Sequence, residues 1–155
     1  MYTRILVPVD GSAASARGLD EAIELARHLK ARLRLVHVVE PWVMVSLESP
    51  AATLQVAESI RSVGSDLLKE CESKVTKAGL QVDAAELIET YGDSAGECIV
   101  RKAKEVKAEL IVCGTHGRRG IRRVLMGSDA EYIVRRAPAP VLLVRDPESA
   151  DREAA

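Results

Sequence analysis

The stretch Leu110-Ile111-Val112-Cys113-Gly114-Thr115-His116-Gly117, with Gly127-Ser128 farther along, decides the fold class of this chain. Its apolar first half predicts a buried strand. After Ser128 the apolar residues recur at helical spacing, at Ala130, Ile133, Val134 and Ala137. A glycine-rich loop therefore separates a strand from the start of a helix, an arrangement typical of ligand-binding α/β sheets.

The glycines of this loop suit close contact with an anion. Glycine has no Cβ, so its backbone can approach a ligand closely. A helix N-terminus adds unpaired N–H groups and partial positive charge. The pattern G-x2-G-x9-G-S, from Gly114 to Ser128, is therefore interpreted as a phosphate cradle. Ser128 could belong to that cradle. It could also cap its own helix in a capping box with Glu131, and the two roles are compatible.

Outside this stretch, strand patterns alternate with amphipathic helix patterns along the chain. Strands are predicted over residues 4–9, 32–39, 81–89, 110–114 and 141–144, and helices over 14–30, 54–78, 94–107 and 128–136. A loop is predicted over residues 40–53. Such alternation implies parallel strands joined by right-handed crossovers. We predict one doubly wound α/β domain over residues 1–146 with helices on both sheet faces, followed by a polar tail over 147–155.

Composition narrows the classes of function. The chain has 155 residues and a formal net charge of −1, and neither nucleic-acid binding nor a membrane span is expected. It enters a strand at once, without a signal-peptide pattern, which favours a cytoplasmic protein. The three cysteines and three histidines lack metal-ligand spacing, so no disulfide framework and no metal site made by protein groups alone is expected.

Asp10 follows the first predicted strand and would enter the same crevice as the glycine loop. A carboxylate beside phosphates is tolerated where it binds ribose hydroxyls or shares a divalent cation with them. Alternatively, Asp10 only caps the helix that begins near Ser12. Spacing alone ranks these readings equal, and the facing glycine loop favours ligand contact.

Other polar or aromatic side chains are weaker candidates. His116 could bond a phosphate or act as a base, but a spacer pointing to solvent is the simpler interpretation. Arg118 belongs to an arginine group that could neutralise a triphosphate, although at least half of that group is expected to be solvated. The segment Trp42 to Val45 could cover an adenine ring or a partner, or pack on the core. His37 is expected to be a satisfied imidazole within its strand.

Two segments carry a family resemblance. They are the opening Ile5-Leu6-Val7-Pro8-Val9-Asp10-Gly11-Ser12 and the stretch from Val112 to Val144, with GTHG, GS and the closing APAPVLLV. Both resemble the universal stress protein family, and the resemblance extends over the whole chain in order. It implies a five-stranded parallel sheet in the order 3-2-1-4-5. It also implies the ATP-binding branch of that family, because the glycine loop is intact.

The resemblance implies a site for ATP with Mg²⁺ or Mn²⁺. By position, Pro8, Val9 and Asp10 lie at the nucleoside, and the Val38 backbone lies beside the adenine. The expected ribose and phosphate residues are Gly114, Gly117, Gly127 and Ser128, flanked by Cys113 and Asp129, with His116 and Arg118 added as loop candidates. The acidic Asp129 departs from the pattern and is compatible with phosphate if its side chain turns away.

Functions from different classes stay open at this point. The favoured one is a regulatory module that binds ATP, and the alternative is a slow ATPase or phosphotransfer enzyme. The sequence has no Walker lysine motif and no base with an orienting partner, so no catalytic residue is assigned. A third reading is a dimeric scaffold without nucleotide. The apolar strand Val141–Val144, an edge strand in the family's strand order, predicts a homodimer.

Overall fold

The computed structural model describes residues 2–41, 50–115 and 126–145, and the structural statements below refer to these. Strands and helices alternate as β1 (Arg4–Pro8), α1 (Ala13–Leu29), β2 (Arg32–Val39), α2 (Pro50–Lys77), β3 (Val82–Glu89), α3 (Ala95–Glu105), β4 (Leu110–Gly114), α4 (Ser128–Arg136) and β5 (Val141–Val144). All strand pairs are parallel, in the order β3-β2-β1-β4-β5. The doubly wound α/β prediction is confirmed, as is the strand order that the resemblance implied.

Two apolar clusters cover opposite faces of the sheet, as a parallel sheet buried on both sides requires. On one face the strands pack against α1 and α2 through Ile5, Val7, Leu33, Leu35, Leu19, Ile23, Leu68 and Val75. On the other face they pack against α3 and α4 through Leu6, Val36, Ile111, Ile99, Ala103 and Ile133. Consecutive residues of β1 enter opposite clusters because side chains alternate along a strand. The loops at the strand ends are thereby held on a rigid base.

The helix α2 begins earlier than the sequence analysis predicts. A loop is expected over residues 40–53, but the chain is helical from Pro50 onward. Proline is tolerated in a first helical turn, where its missing N–H would have no partner in any case, so here it starts the helix. Residues 42–49, with the Trp42 to Val45 segment, lie outside the described residues. At the other end, Gly79 follows the helix with a φ of 79°, as its position predicts.

The described part of the chain includes no helix that is both long and apolar enough to cross a membrane.

Candidate functional site

The ends of β1, β2 and β4 bring the described candidate residues to one edge of the sheet. Because these strands are parallel neighbours, their carboxyl ends lie together. Pro8 ends β1 and is followed by Val9 and Asp10, Val38 lies near the end of β2, and Gly114 ends β4. The remaining loop candidates His116, Gly117 and Arg118 fall outside the described residues.

Asp10 lies in a hydrogen-bonded turn that starts α1. The Asp10 N–H donates to Ser15 Oγ at 3.0 Å, and the Ser12 N–H donates to Asp10 Oδ1 at 2.9 Å. Ser12 is the N-cap of α1, and its Oγ accepts from the Ser15 N–H at 3.1 Å. The N-cap of α1 is therefore Ser12 and not Asp10, whose carboxylate accepts from the Ser12 N–H. The Ser12 N–H thus holds the Asp10 carboxylate at the start of α1.

Ser15 was not singled out in the sequence, although it is buried and ties the turn to the helix. The sequence signal is the spacing Asp10-x-Ser12-x-x-Ser15, which places three short polar side chains around one helix start.

Gly114 is required by packing, whatever ligand the edge binds. A Cβ added there would lie 2.6 Å from the Ala14 carbonyl carbon and 2.8 Å from the Ser15 nitrogen. A Cβ added to Gly18 would lie 3.3 Å from the Gly114 nitrogen. Because these neighbours are backbone atoms, they cannot rotate aside. The two glycines let the first turns of α1 lie directly on the end of β4, so Gly114 alone is weak support for a phosphate cradle.

Backbone hydrogen bonds of Thr115 connect the end of β4 to the start of α4 and to the end of β5. The Gly127 N–H donates to the Thr115 carbonyl at 2.8 Å, and the Thr115 N–H donates to the Val144 carbonyl at 3.0 Å. Thr115 is buried. The start of α4 is thus held against the end of β4. The sequence analysis missed Thr115, whose only signal is its place directly after a strand.

The helix α4 begins without a side-chain cap. Its N-cap is Gly127, with φ −68° and ψ 153°, and no side chain of the described residues bonds to its first turn. The predicted capping box of Ser128 with Glu131 is wrong, because Ser128 is the first helical residue and lies one position beyond the cap. Glycine has no side-chain acceptor to offer. Within the described parts of the chain, the first-turn amides of α4 therefore lack the side-chain partner that a helix start usually has.

Asp129 turns its carboxylate away from its own helix. Its Oδ1 accepts a hydrogen bond from the Gly96 N–H, in the first turn of α3, at 2.9 Å. The helices touch closely here, since a Cβ added to Gly96 would lie 3.1 Å from the Asp129 carbonyl oxygen. The condition placed on this acidic residue by the sequence analysis is thereby met.

Two titratable groups flank the edge. Burial raises the pKa of the Cys113 thiol to about 12, so the thiol is neutral at pH 7 and a poor nucleophile. The second group is Glu89, the last residue of β3. Its two carboxylate oxygens accept from the guanidinium of Arg61 in α2, and one of them also accepts from the Tyr91 hydroxyl. These bonds hold the pKa of Glu89 below its usual range. Glu89 is therefore an ionised, paired carboxylate and a poor candidate for a general base.

Residues 1–145 match the universal stress protein family. The chain belongs to this family. It is 33% identical over 148 residues to a universal stress protein of Methanocaldococcus jannaschii, an alignment that covers 96% of this chain and 85% of that protein. The structure of the universal stress protein UspA from Lactobacillus plantarum is similar with a TM-score of 0.81 and 25% identity, covering 93% of this chain and 98% of that one.

Two other solved structures of the family contain a nucleotide. One universal stress protein, in complex with cAMP, has a TM-score of 0.68 and 27% identity, covering 92% of this chain and 97% of that one. The universal stress protein of Archaeoglobus fulgidus, in complex with dAMP, has a TM-score of 0.63 and 26% identity, covering 92% and 98%. Both of those proteins thus bind an adenine nucleotide.

Proposed function

We propose that this protein binds ATP together with a divalent cation at the carboxyl edge of its sheet. The observation that carries the proposal is the start of α4, where Gly127 leaves the first-turn amides without a side-chain cap. Phosphate oxygens are suitable partners for such amides, and the helix dipole favours their charge by about 0.3–1 kcal/mol. The bond between Thr115 and Gly127 supports this placement, because it holds the helix start beside β4.

In this proposal each part of the nucleotide has its own partner at the edge. The first-turn amides of α4, beginning with Ser128, bind phosphate, and the Val38 backbone reads the edge of the adenine. Asp10 binds the ribose or the cation. The family resemblance assigns Gly117 to phosphate, and His116 and Arg118 are further candidates in the same loop. The bound ATP takes the place of the missing helix cap.

The cation is expected to reach the site with the nucleotide. Mg²⁺ prefers oxygen ligands and is usually held by one or two carboxylates and substrate phosphates. Among the described residues no cluster of three or more His, Cys, Asp or Glu side chains forms a metal site. Asp10, directly after the end of β1, supplies a carboxylate of the required kind, and the Ser12 N–H holds it in place. It therefore fits a role shared with the phosphates.

The ligands of the related structures support the binding of an adenine nucleotide. The number of phosphates that this chain binds is a question for experiment. cAMP and dAMP share an adenine base and a single phosphorus, and dAMP has no 2′-hydroxyl. For this chain we expect the longer phosphate tail of ATP to add contacts at α4.

Calorimetry on protein stripped of nucleotide tests the proposal directly. We expect ATP with Mg²⁺ to bind more tightly than AMP and at least about tenfold more tightly than GTP, a difference of about 1.4 kcal/mol. Gly117→Val should abolish binding while the circular dichroism spectrum stays unchanged. Absence of ATP binding, or equal affinity for ATP and GTP, would contradict the proposal.

We propose regulation by ATP occupancy as the biological role, with hydrolysis slow or absent. Among the described residues of the edge, the Cys113 thiol is neutral and Glu89 is paired with Arg61, and we assign Asp10 to the ribose or the cation. Turnover with saturating ATP and Mg²⁺ should fall well below about 1 per second, the lower end of typical enzymes. A faster rate that disappears in Asp10→Ala would favour the alternative, a phosphoryl-transfer enzyme.

We also propose a homodimer formed by pairing of two β5 strands. β5 is an edge strand with the wholly apolar sequence VLLV. The Thr115 N–H donates to the Val144 carbonyl, so by alternation the backbone groups of Leu143 point away from β4. An exposed edge of this kind is a template for antiparallel pairing around a two-fold axis.

A matched pair of variants tests the dimer. Leu143→Pro and Leu143→Ala both shorten the side chain, but only proline removes the outward N–H. Light scattering should find Leu143→Pro monomeric and Leu143→Ala dimeric. Two dimeric variants would place the interface elsewhere.

A further inference from the structure

His37 lies in β2 directly before Val38 and is buried, with 3% of its surface exposed. Its Nδ1 is 2.7 Å from the Val9 carbonyl oxygen. A carbonyl oxygen can only accept, so Nδ1 carries the proton and donates this bond. The bond therefore fixes both the tautomer and the orientation of the ring.

The backbone ladder between β1 and β2 stops at this bond. Pro8 pairs with Val36, and the Val9 N–H donates to the Val36 carbonyl at 2.8 Å. A regular parallel ladder would continue with a bond from the Val38 N–H to the Val9 carbonyl. Among the described residues that bond is not formed, and the carbonyl accepts the imidazole N–H of His37 instead.

The alternation of β2 turns the peptide groups of Val38 toward this gap. The Val36 carbonyl points to β1, so the N–H and carbonyl of Val38 point to the same side. At that level β1 has already ended and the chain turns into Asp10. The Val38 peptide thus faces the edge where the nucleotide is proposed to bind.

We propose that His37 is a positioning residue for adenine recognition. Its imidazole satisfies the Val9 carbonyl where the ladder ends, and the Val38 N–H stays available to the edge of the base. It also joins the two strand ends that carry the nucleoside contacts. This inference rests on the proposed function and adds to it a role for the His37 imidazole, which ends the ladder between β1 and β2.

The helix α2 holds the ring in this position. A Cβ added to Gly64 would lie 2.9 Å from His37 Cδ2 and 2.7 Å from Leu87 Cδ1, so the helix backbone passes directly over the imidazole. Val9 is also buried, with 3% of its surface exposed. The bond is therefore shielded from water, and the ring has little room to turn away from the carbonyl.

Two amide variants separate this role from simple filling of the core. In His37→Asn the side-chain nitrogen is attached to the same carbon as Nδ1 and can still donate to Val9. In His37→Gln it lies one atom farther along and cannot take the same position. We expect His37→Asn to keep the ATP-to-GTP preference within about threefold of the parent, and His37→Gln to reduce it about tenfold or more.

The ratio of the two affinities is informative because a general loss of stability would lower both alike. Equal ratios in His37→Asn, His37→Gln and the parent would overturn the assignment. If His37→Gln does not fold, His37→Leu, which has a similar volume and no donor, takes its place with the same expected loss. A parent protein that binds no adenine nucleotide would instead contradict the proposed function.

Amide exchange measured by NMR tests the ladder itself in the unaltered protein. Without nucleotide, the Val38 amide should exchange at least about tenfold faster than the Val36 amide, which lies within the ladder. Val38 and Val36 amides that exchange equally slowly would overturn the assignment even if ATP binds. Addition of ATP should slow exchange at Val38.

Discussion

The starts of α3 and α4 lie side by side, yet they are completed in opposite ways. At α3 the Glu97 N–H donates to Ser94 Oγ, and the Ser94 N–H donates to the Glu97 carboxylate at 2.7 Å. The Gly96 N–H donates to Asp129. At α4 the N-cap is Gly127, and no side chain of the described residues bonds to the first turn.

The difference between the two helix starts lies in where the protein places its side-chain hydrogen-bond acceptors. Asp129 lies in the first turn of α4, where a carboxylate would ordinarily favour its own helix dipole. It reaches instead to α3, whose start already has a capping box. Among the described residues, the protein thus gives side-chain acceptors to one helix start and none to its neighbour. The amides at a helix start are more stable when each has a hydrogen-bond acceptor. A ligand is therefore expected to stabilise the start of α4 more than the start of α3.

The largest effect is expected from giving α4 the cap it lacks. Gly127 has φ −68° and ψ 153°, a conformation open to any residue, so Gly127→Asp can fold and place a carboxylate over the first-turn amides. Calorimetry should show ATP affinity reduced about 30-fold or more, which corresponds to about 2 kcal/mol. Thermal unfolding should be unchanged or slightly higher, because an aspartate N-cap is better than glycine by a few tenths of a kcal/mol.

Gly127→Ala is the control for this variant, since it adds a Cβ but no acceptor. It should retain most of the affinity for ATP. If Gly127→Asp binds ATP as the parent does, the phosphates lie elsewhere and the contrast between the two helix starts has no functional meaning.

An effect of intermediate size is expected from removing the cap that α3 has. Ser94→Ala should lower the free energy of unfolding by about 1 kcal/mol, measured with urea, because it deletes the N-cap acceptor. Its ATP affinity should match that of the parent. Ser128→Ala is the matched variant at α4 and should change stability by less than about 0.5 kcal/mol, since Ser128 is exposed and is not the cap. Equal losses in the two variants would restore the predicted capping box at Ser128.

The same two helix starts show what a local pattern can predict. The pattern S-x-x-E occurs at Ser94 with Glu97 and again at Ser128 with Glu131. It predicts a capping box at both, and only the first is formed. At α4 the bond between Thr115 and Gly127 fixes where the chain enters the helix, so Gly127 occupies the cap position. That bond joins residues far apart in sequence, and no local spacing reveals it.

The fold was largely predictable because its signals are local and repeated. The bounds of β2, β4, α4 and β5 agree with the sequence prediction residue for residue. The start of α2 was missed because Pro50 was interpreted as part of a loop. For Gly114 the sequence suggests contact with a ligand, whereas the backbone of Ala14 already requires glycine there. Such close approaches depend on tertiary packing and cannot be seen from spacing.

The smallest effect is expected at Asp129, the residue that links the two helix starts. Asp129→Asn keeps an oxygen that can accept from the Gly96 N–H, while Asp129→Ala removes it. Urea unfolding should therefore show a loss of about 1 kcal/mol for alanine and less for asparagine. Asparagine also removes one negative charge from the first turn of α4, so ATP affinity should rise about two- to threefold at low salt and by less at physiological ionic strength, where screening is stronger. A decrease in ATP affinity for asparagine that depends on Mg²⁺ would mean that Asp129 helps to hold the cation, and the separation of the two helix starts would then fail at this residue.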